Sequence, residues 1–463
     1  MANLDQYQAE FDRAKPQRAK GEPARIGRAR DEALSRFLAN GFPTTKHEEW
    51  TFTSVETIAT RTFALAGLGE PDKVRPTGDV GRALSGSPKD VSPFQLSGAF
   101  DAELVFVDGR YAPTLSKVGA LPKGTQVGNL AAYAAGQTDA IEKHLGHVAP
   151  FDRQPFVALN TAFFADGALV SIPPRTVLEK PIHLQFISTG GANGVSSLND
   201  LRPHLMAHPR VLIVMGEQSQ AAVVESYAGP AGSEYFTNVV TEVVMGEQSV
   251  LDHYKLQHES NQAFHIGAIY VKAARSANCS SHSISLGGAL VRNDVVAVLG
   301  GEGGHCTLNG LYLVDGQRHV DNHTTIDHAM PNCDSREIYK GILAGKSRGV
   351  FNGKIIVRPD AQKTDAKQTN RALLLSEDAQ INSKPELEIF ANDVKCTHGA
   401  AVGQLDKDAV FYLRSRGIGL VEARHVLIHA FAGDVLNKLP LLAVRKGVED
   451  VLHRQLETAL QAA

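Results

Sequence analysis

Cysteine is scarce in this chain, with four among 463 residues, and tryptophan occurs only once. Four thiols in so long a chain cannot form the disulfide framework that holds small secreted domains together. We therefore expect a reducing, cytoplasmic setting, in which each thiol is either buried and inert or available for chemistry. Apolar runs of about 18 residues are also missing, so the sequence predicts no membrane-spanning helix.

An excess of basic charge is absent as well. Lysine and arginine number 47 against 50 aspartates and glutamates, which gives a net charge of −3. A protein whose main partner is nucleic acid usually carries a basic excess, so we expect no nucleic-acid partner. Hydrophobic residues at 43% and charged residues at 21% are typical of folded globular proteins, which excludes wholesale disorder.

The pattern of apolar residues divides the chain into three regions. Residues 1–150 are predicted to be mostly helical with short strands, and the first helical stretch ends at Gly41. Residues 151–403 contain recurring short runs of valine, isoleucine and leucine separated by turn residues, which indicates strands. Residues 404–463 are helical again, beginning with a helix that Asp406 can cap.

The strand-rich region contains an internal repeat. The hexapeptide at residues 214–219 recurs at 244–249, and steps of 27 to 32 residues extend the series. The series runs through Ser219, Ser249, Cys279, Cys306, Cys333, Thr364 and Cys396. A nearly regular period with strand composition predicts a mainly β fold with a solenoid core, in which each rung covers its neighbour. The helices after it are expected to cap the open end or to carry a partner surface.

Two glycine clusters resemble nucleotide-binding loops but lack their geometry. Residues 341–347 have three residues between the glycines where a phosphate-binding loop needs four, and residues 300–304 precede no helix. We therefore expect both clusters to form turns, and no nucleotide to bind this chain.

Five residues near the middle of the repeats have the composition of a metal site: His319, Asp321, His323, Asp327 and His328. The neighbouring asparagine and threonines favour strand and turn over a single helix face. A polar surface on one rung and a metal site are both compatible with the pattern.

Three cysteines fall on one position of the predicted repeat, namely Cys279, Cys306 and Cys333. They could form a ladder of thiol ligands, but Ser219 and Ser249 occupy the same position in earlier repeats. The position therefore favours small side chains, and buried free cysteine packs as a small hydrophobe. Packing and a ligand role both remain open.

The fourth cysteine differs because a histidine follows it by two residues. In a strand, Cys396 and His398 project to the same side, which brings a thiol and an imidazole together. These are suitable ligands for iron or zinc, although two ligands cannot complete a tetrahedral site. Alternatively, the pair could be the nucleophile and base of a β-helix enzyme.

A resemblance to a known family is carried by residues 367–376, 381–390, 391–399 and 411–418 in the C-terminal third, and upstream by residues 41–50 and 339–343. These segments resemble the SufB/SufD core family of iron–sulfur cluster assembly, and within it the SufD branch. The segment Lys395-Cys-Thr-His-Gly399 favours the SufD branch, because SufB has a cysteine-free run there. The resemblance implies a right-handed parallel β-helix flanked by helical N- and C-terminal regions.

The resemblance also implies a scaffold subunit rather than an enzyme. Its partners would be SufB, bound through the β-helix, and the SufC ATPase, bound through the C-terminal helices. His398, with Cys396 as a neighbouring or auxiliary ligand, would help to hold a nascent, transient iron–sulfur cluster at the SufB interface. Nucleotide binding would belong to SufC, and the isolated chain could form a SufD-like homodimer.

Overall fold

Strands dominate the chain, with 41% of residues in strands and 25% in helices, which confirms the predicted mainly β class. The computed structural model describes residues 4–18, 22–66, 96, 98, 100–136, 138–190 and 204–461. Its centre is a β-solenoid of about seven turns with helices towards both termini. No helix in these ranges is both long enough and apolar enough to cross a membrane.

The solenoid consists of two sheets whose strands alternate along the chain, so each full turn adds one strand to each sheet. Neighbouring strands of the repeats pair in parallel, as a coil of successive turns requires. Sheet A contains β1 (Phe63–Leu65), β5 (Gln126–Asn129), β6 (Gly167–Ile172), β8 (His204–Ala207), β9 (Arg210–Met215), β11 (Tyr235–Met245), β13 (Phe264–Ala273), β15 (Leu290–Leu299), β17 (His319–His328), β19 (Arg348–Val357) and β21 (Gln380–Ile389). Sheet B contains β2 (Ala102–Val107), β3 (Arg110–Tyr111), β4 (Lys117–Val118), β7 (Ile182–Ile187), β10 (Gln220–Ala228), β12 (Val250–His258), β14 (Asn278–Ser285), β16 (His305–Val314), β18 (Asp334–Leu343), β20 (Asp365–Leu374) and β22 (Lys395–Gly403).

The turns that enter sheet B share a left-handed backbone position two residues before the strand. This position has a φ of 57° at Gln218, 55° at Gln248 and 58° at Asn332. Gly303 occupies it in another turn without a steric penalty, since it lacks a Cβ. The common turn conformation fixes where each strand of sheet B begins.

Helices lie at both ends of the chain. They are α1 (Asp5–Arg18), α2 (Ala24–Asn40), α3 (Glu56–Ala59), α4 (Leu130–Ala135), α5 (Asp139–His144), α6 (Pro155–Phe163), α7 (Lys407–Ser415), α8 (Leu420–Leu436) and α9 (Leu442–Gln461), with short 3-10 helices at Glu48–Trp50 and Pro113–Leu115. As predicted, α2 is followed by Gly41, and the Asp406 carboxylate accepts hydrogen bonds from the first turn of α7.

The helical regions cover the outer faces of the two sheets. Aromatic residues of the N-terminal region, including Phe37 and Trp50, form one core with Phe236 and Phe264 of sheet A. The helices α8 and α9 pack apolar residues on the outer face of sheet B. The C-terminal helices therefore flank the solenoid, and within the described residues its final rung stays uncovered.

Candidate functional site at the open end of the solenoid

The last rung of the solenoid consists of β21 and β22, each at the edge of its sheet. β21 pairs with β19 and β22 with β20, and no strand of the described residues pairs with their other edges. Large apolar side chains are exposed here, with Phe390 at 64% and Val402 at 51%. Edge strands with unpaired backbone groups and apolar side chains are suited to binding another chain.

Cys396 and His398 lie on β22. We call the partner residues on successive strands of one sheet a column, and the strand register shows that both residues belong to columns that face the interior of the solenoid. Cys396 is the partner of Ala366, and His398 is the partner of Gln368. Both partners are buried inside the solenoid. Because no further rung of the described residues covers β22, the equivalent side chains on this strand are half-buried at Cys396 and exposed at His398. The thiol and the imidazole thus face the open end together.

The environment of Cys396 does not activate its thiol. Burial, together with the charge of Asp365, raises the pKa of Cys396 above its ordinary value, against the opposing effect of the Ala366 amide. His398 is not among the groups that act on it. A nucleophilic cysteine needs a lowered pKa or a base in contact, so neither observation supports a nucleophile–base pair.

The predicted alignment of three cysteines is wrong. Cys279 and Cys306 are direct partners on neighbouring rungs, whereas the partner of Cys306 on the next rung is Ser335. Cys333 immediately precedes its strand, at the position that Ser219 and Ser249 occupy. The series predicted from the sequence therefore combined residues of two adjacent inward columns. Turns of different length shift the register from one rung to the next, although the spacing along the chain stays near 30 residues.

The two columns have different roles. Ser219, Ser249 and Thr364 each donate a hydrogen bond to a carbonyl three residues earlier, which closes the turn. Cys279 and Cys306 are packed in the apolar core of the solenoid, and burial raises the pKa of Cys279 to about 12. Such thiols stay protonated at neutral pH, which favours a packing role for both.

The alternation of β17 places His319, Asp321, His323 and Asp327 on one face and His328 on the other. Asp321 and His323 lie on the outer face, while His328 is buried on the inner face and hydrogen-bonds Ser335. Asp327 pairs with Arg358. Within the described residues, no group of three histidine, cysteine or acidic side chains is placed to hold a metal.

The outer members of this set attach the N-terminal region to sheet A. Asp321 is 2.9 Å from Arg292 and accepts a hydrogen bond from Thr53 at 2.6 Å. The Arg292 guanidinium lies 3.7 Å from the centre of the Trp50 ring. His323 contacts both Asp321 and Glu49. This buried network is structural, since every charged member has a partner.

Both glycine clusters form turns, as expected. Residues 341–347 end strand β18 and lead into β19, and residues 300–304 connect β15 with β16. A phosphate-binding loop joins a strand to a helix. Neither segment has that context.

The interior of the solenoid contains ionisable residues that the sequence analysis did not identify. His253 contacts Glu225 at 3.1 Å, and His265 contacts Glu259 at 2.6 Å. Between these pairs lies Lys255, whose pKa burial lowers to about 8 although both glutamates oppose the shift. The alternation of inward and outward side chains along β10 and β12 was the signal in the sequence, because it places Glu225, His253 and Lys255 at inward positions.

Nearer the open end, the interior is polar as well. Glu337 is buried, and burial raises its pKa to about 7 against the opposing hydrogen bond from Gln368. Gln368 Nε2 donates that bond to Glu337 Oε2 at 2.8 Å. The polar interior therefore extends to the rung beneath His398.

Comparison with known proteins identifies the family. The family described as "SUF system FeS cluster assembly, SufBD core domain" matches residues 198–431, about half of the chain. The chain belongs to the SufBD family. The family's N-terminal region matches residues 97–184.

Individual SufBD proteins are similar over most of their length. An iron–sulfur cluster assembly SufBD family protein of Synechocystis sp. is 34% identical over 411 residues, which cover 87% of this chain and 85% of that protein. The iron–sulfur cluster assembly protein SufD of Escherichia coli is 31% identical over 407 residues, which cover 88% of this chain and 87% of SufD. The chain is thus a SufD homologue with a parallel β-solenoid.

Proposed function

We propose that this chain is a scaffold subunit, not an enzyme by itself, whose open rung pairs with a SufB-type subunit around a nascent iron–sulfur cluster. The carrying observation is the placement of Cys396 and His398 in inward columns whose outer end is left open by the residues that the structure describes. A thiol and an imidazole are suitable ligands for iron, and mixed cysteine and histidine ligation of clusters occurs. The cluster is the cargo of assembly rather than a resident cofactor.

Two ligands from one chain need others to complete the coordination of iron. The exposed apolar residues Ile389, Phe390 and Val402 lie on the same last rung as the pair. A partner that covers them would supply further ligands and would exclude water from the cluster. The same surface is available to a second copy of this chain, so we expect the isolated protein to form a homodimer that the SufB-type subunit displaces.

The second partner surface lies on the C-terminal helices. No residue of α7 is buried, and it exposes Phe411 at 74% and Tyr412 at 57%. The start of α8 exposes Val421 as well. An apolar surface of this kind marks a docking site, and we assign it to a SufC-type ATPase, which would bind the nucleotide.

An ion pair between a buried lysine and a half-exposed aspartate connects these helices to the solenoid. Lys340 on β18 is 1% exposed, and its Nζ contacts the Phe431 carbonyl at 2.7 Å and the Asp434 carboxylate at 2.5 Å. Arg371, the partner of Lys340 on β20, lies 3.9 Å from the same carboxylate. Since β20 pairs directly with β22, movement of α8 has a short route to the strand that carries His398.

The ligand role is tested by His398→Ala in the complex co-purified with its SufB-type and SufC-type partners. We expect loss of iron and acid-labile sulfide and of the cluster absorption spectrum, with a smaller loss for Cys396→Ser. The matched control is His147→Ala, an exposed histidine whose segment packs on β11, far from the last rung. Unchanged iron, sulfide and spectrum in His398→Ala would refute the assignment.

A further inference from the structure

One inward column of sheet B leads directly to His398. Glu337 on β18 is the partner of Gln368 on β20, which in turn is the partner of His398 on β22. Partner residues on neighbouring strands stand about 4.8 Å apart on the same side of the sheet. The Gln368 side chain is 2% exposed and lies immediately beneath the exposed imidazole.

The Gln368 amide is held in one orientation. Its Nε2 donates to the Glu337 carboxylate, while its Oε1 is buried and has no hydrogen-bond partner in the structure. Gly353 on the opposite sheet leaves the space for this amide, because a Cβ there would collide with Nε2. A buried carbonyl oxygen without a partner costs about 1–3 kcal/mol, so an available donor is expected to satisfy it.

The same column already contains hydrogen bonds between neighbouring rungs. His253 on β12 is the partner of Ser281 on β14, and its Nδ1 is 3.1 Å from the Ser281 hydroxyl. The other ring nitrogen of His253 contacts Glu225. A histidine of this column is thus oriented by the inward side chain of the adjacent rung.

We propose that Gln368 is a positioning residue for His398: its buried Oε1 accepts the N–H of one ring nitrogen and leaves the other nitrogen facing the open end. This inference rests on the proposed ligand role of His398. Rotation of the exposed His398 ring is the movement required, because the amide is already fixed by Glu337. Histidines that bind metals generally donate their second N–H to a carbonyl or carboxylate, which fixes the tautomer and the ring orientation.

The tautomer of His398 provides a test that does not depend on a bound cluster. In the full chain labelled with 15N-histidine, NMR at pH 8 is expected to show one predominant neutral tautomer for His398, identified by the signal that His398→Ala removes. Gln368→Leu should give a mixture of both tautomers. In the co-purified complex, the Fe²⁺ concentration for half-maximal iron occupancy should rise at least about 10-fold in Gln368→Leu.

Asn370→Ala is the matched control, since it removes a buried amide from the same strand whose partner is Ala400 rather than His398. It should leave both readouts unchanged. The proposal would be overturned if the tautomer populations of His398 were the same in wild type and Gln368→Leu. It would also be overturned if Asn370→Ala changed the tautomer populations and the iron occupancy as Gln368→Leu does. If Gln368→Leu does not fold, Glu337→Gln decides instead: it keeps the buried volume but lets the Gln368 amide adopt either orientation, so a single tautomer in this variant would overturn the proposal.

The two hypotheses fail in different ways. If His398→Ala leaves iron occupancy unchanged, the ligand role is wrong, whatever the tautomer measurement shows. If His398→Ala abolishes iron binding while Gln368→Leu changes neither tautomer nor occupancy, the ligand role stands and the positioning role is refuted.

Discussion

Two exposed phenylalanines distinguish the proposed partner surfaces. Phe390 lies on the last rung and is 64% exposed, and Phe411 lies on α7 and is 74% exposed. Replacing each with serine removes similar apolar area at two separate places. We expect Phe390→Ser to weaken binding of the SufB-type subunit alone and Phe411→Ser to weaken binding of the SufC-type ATPase alone.

The magnitude follows from the exposed area. A phenylalanine buries on the order of 200 Å², so the exposed part of Phe390 is about 130 Å². At about 25 cal/mol per Å², full burial at an interface contributes about 3 kcal/mol, or roughly 150-fold in Kd. The corresponding value for Phe411 is about 4 kcal/mol. Both are upper values, because side-chain ordering at the interface offsets part of the gain.

Isothermal titration calorimetry with each partner gives the four dissociation constants, and urea denaturation checks the fold. Both residues are largely exposed in the monomer, so urea midpoints measured at a protein concentration below that of homodimer formation should equal that of the wild type. Each variant serves as the control for the other. A variant that weakens the binding of both partners equally would refute the separation of the two surfaces. So would a variant that leaves the affinity for its assigned partner unchanged.

Two further predictions concern titratable groups. Burial lowers the pKa of His323, but Asp321 and Glu49 outweigh this effect and raise the pKa to about 9. Below pH ~6.5 the shift contributes on the order of 3 kcal/mol to the free energy of unfolding. This contribution is lost as the pH rises through 9. Urea unfolding should therefore give the wild type a lower free energy of unfolding at pH 9 than at pH 6, and His323→Gln should lack this decline. An equal decline in both proteins would contradict the prediction. In the folded monomer, Ellman's reagent at pH 8 should titrate one thiol, Cys396, and in denaturant it should titrate four, since Cys279, Cys306 and Cys333 are buried. A second reactive thiol in the folded monomer would contradict their burial.

The periodic strands and turns were sufficient to predict the solenoid, and the two-residue spacing of Cys396 and His398 was sufficient to predict that they face one side. The register was not predictable from spacing, because Cys279 to Cys306 spans 27 residues while Ala366 to Cys396 spans 30. A shift of two residues leaves a side chain facing inward but moves it to another column. The contacts of Arg292 with Glu49 and Trp50 join segments more than 240 residues apart, which no local pattern indicates.

The proposed site is a consequence of where the solenoid ends. On every earlier rung, inward side chains such as Gln368 are buried by the strand that follows. After Gly403 the chain leaves the solenoid, and Asp406 caps the start of α7, so no strand in the described part of the chain covers β22. Cys396 and His398, two residues in buried columns, are thereby exposed at the surface as the proposed ligands, on a strand whose other edge is paired with β20. A partner that continues the sheet would return them to an enclosed environment, which is the condition under which bound iron is protected from water.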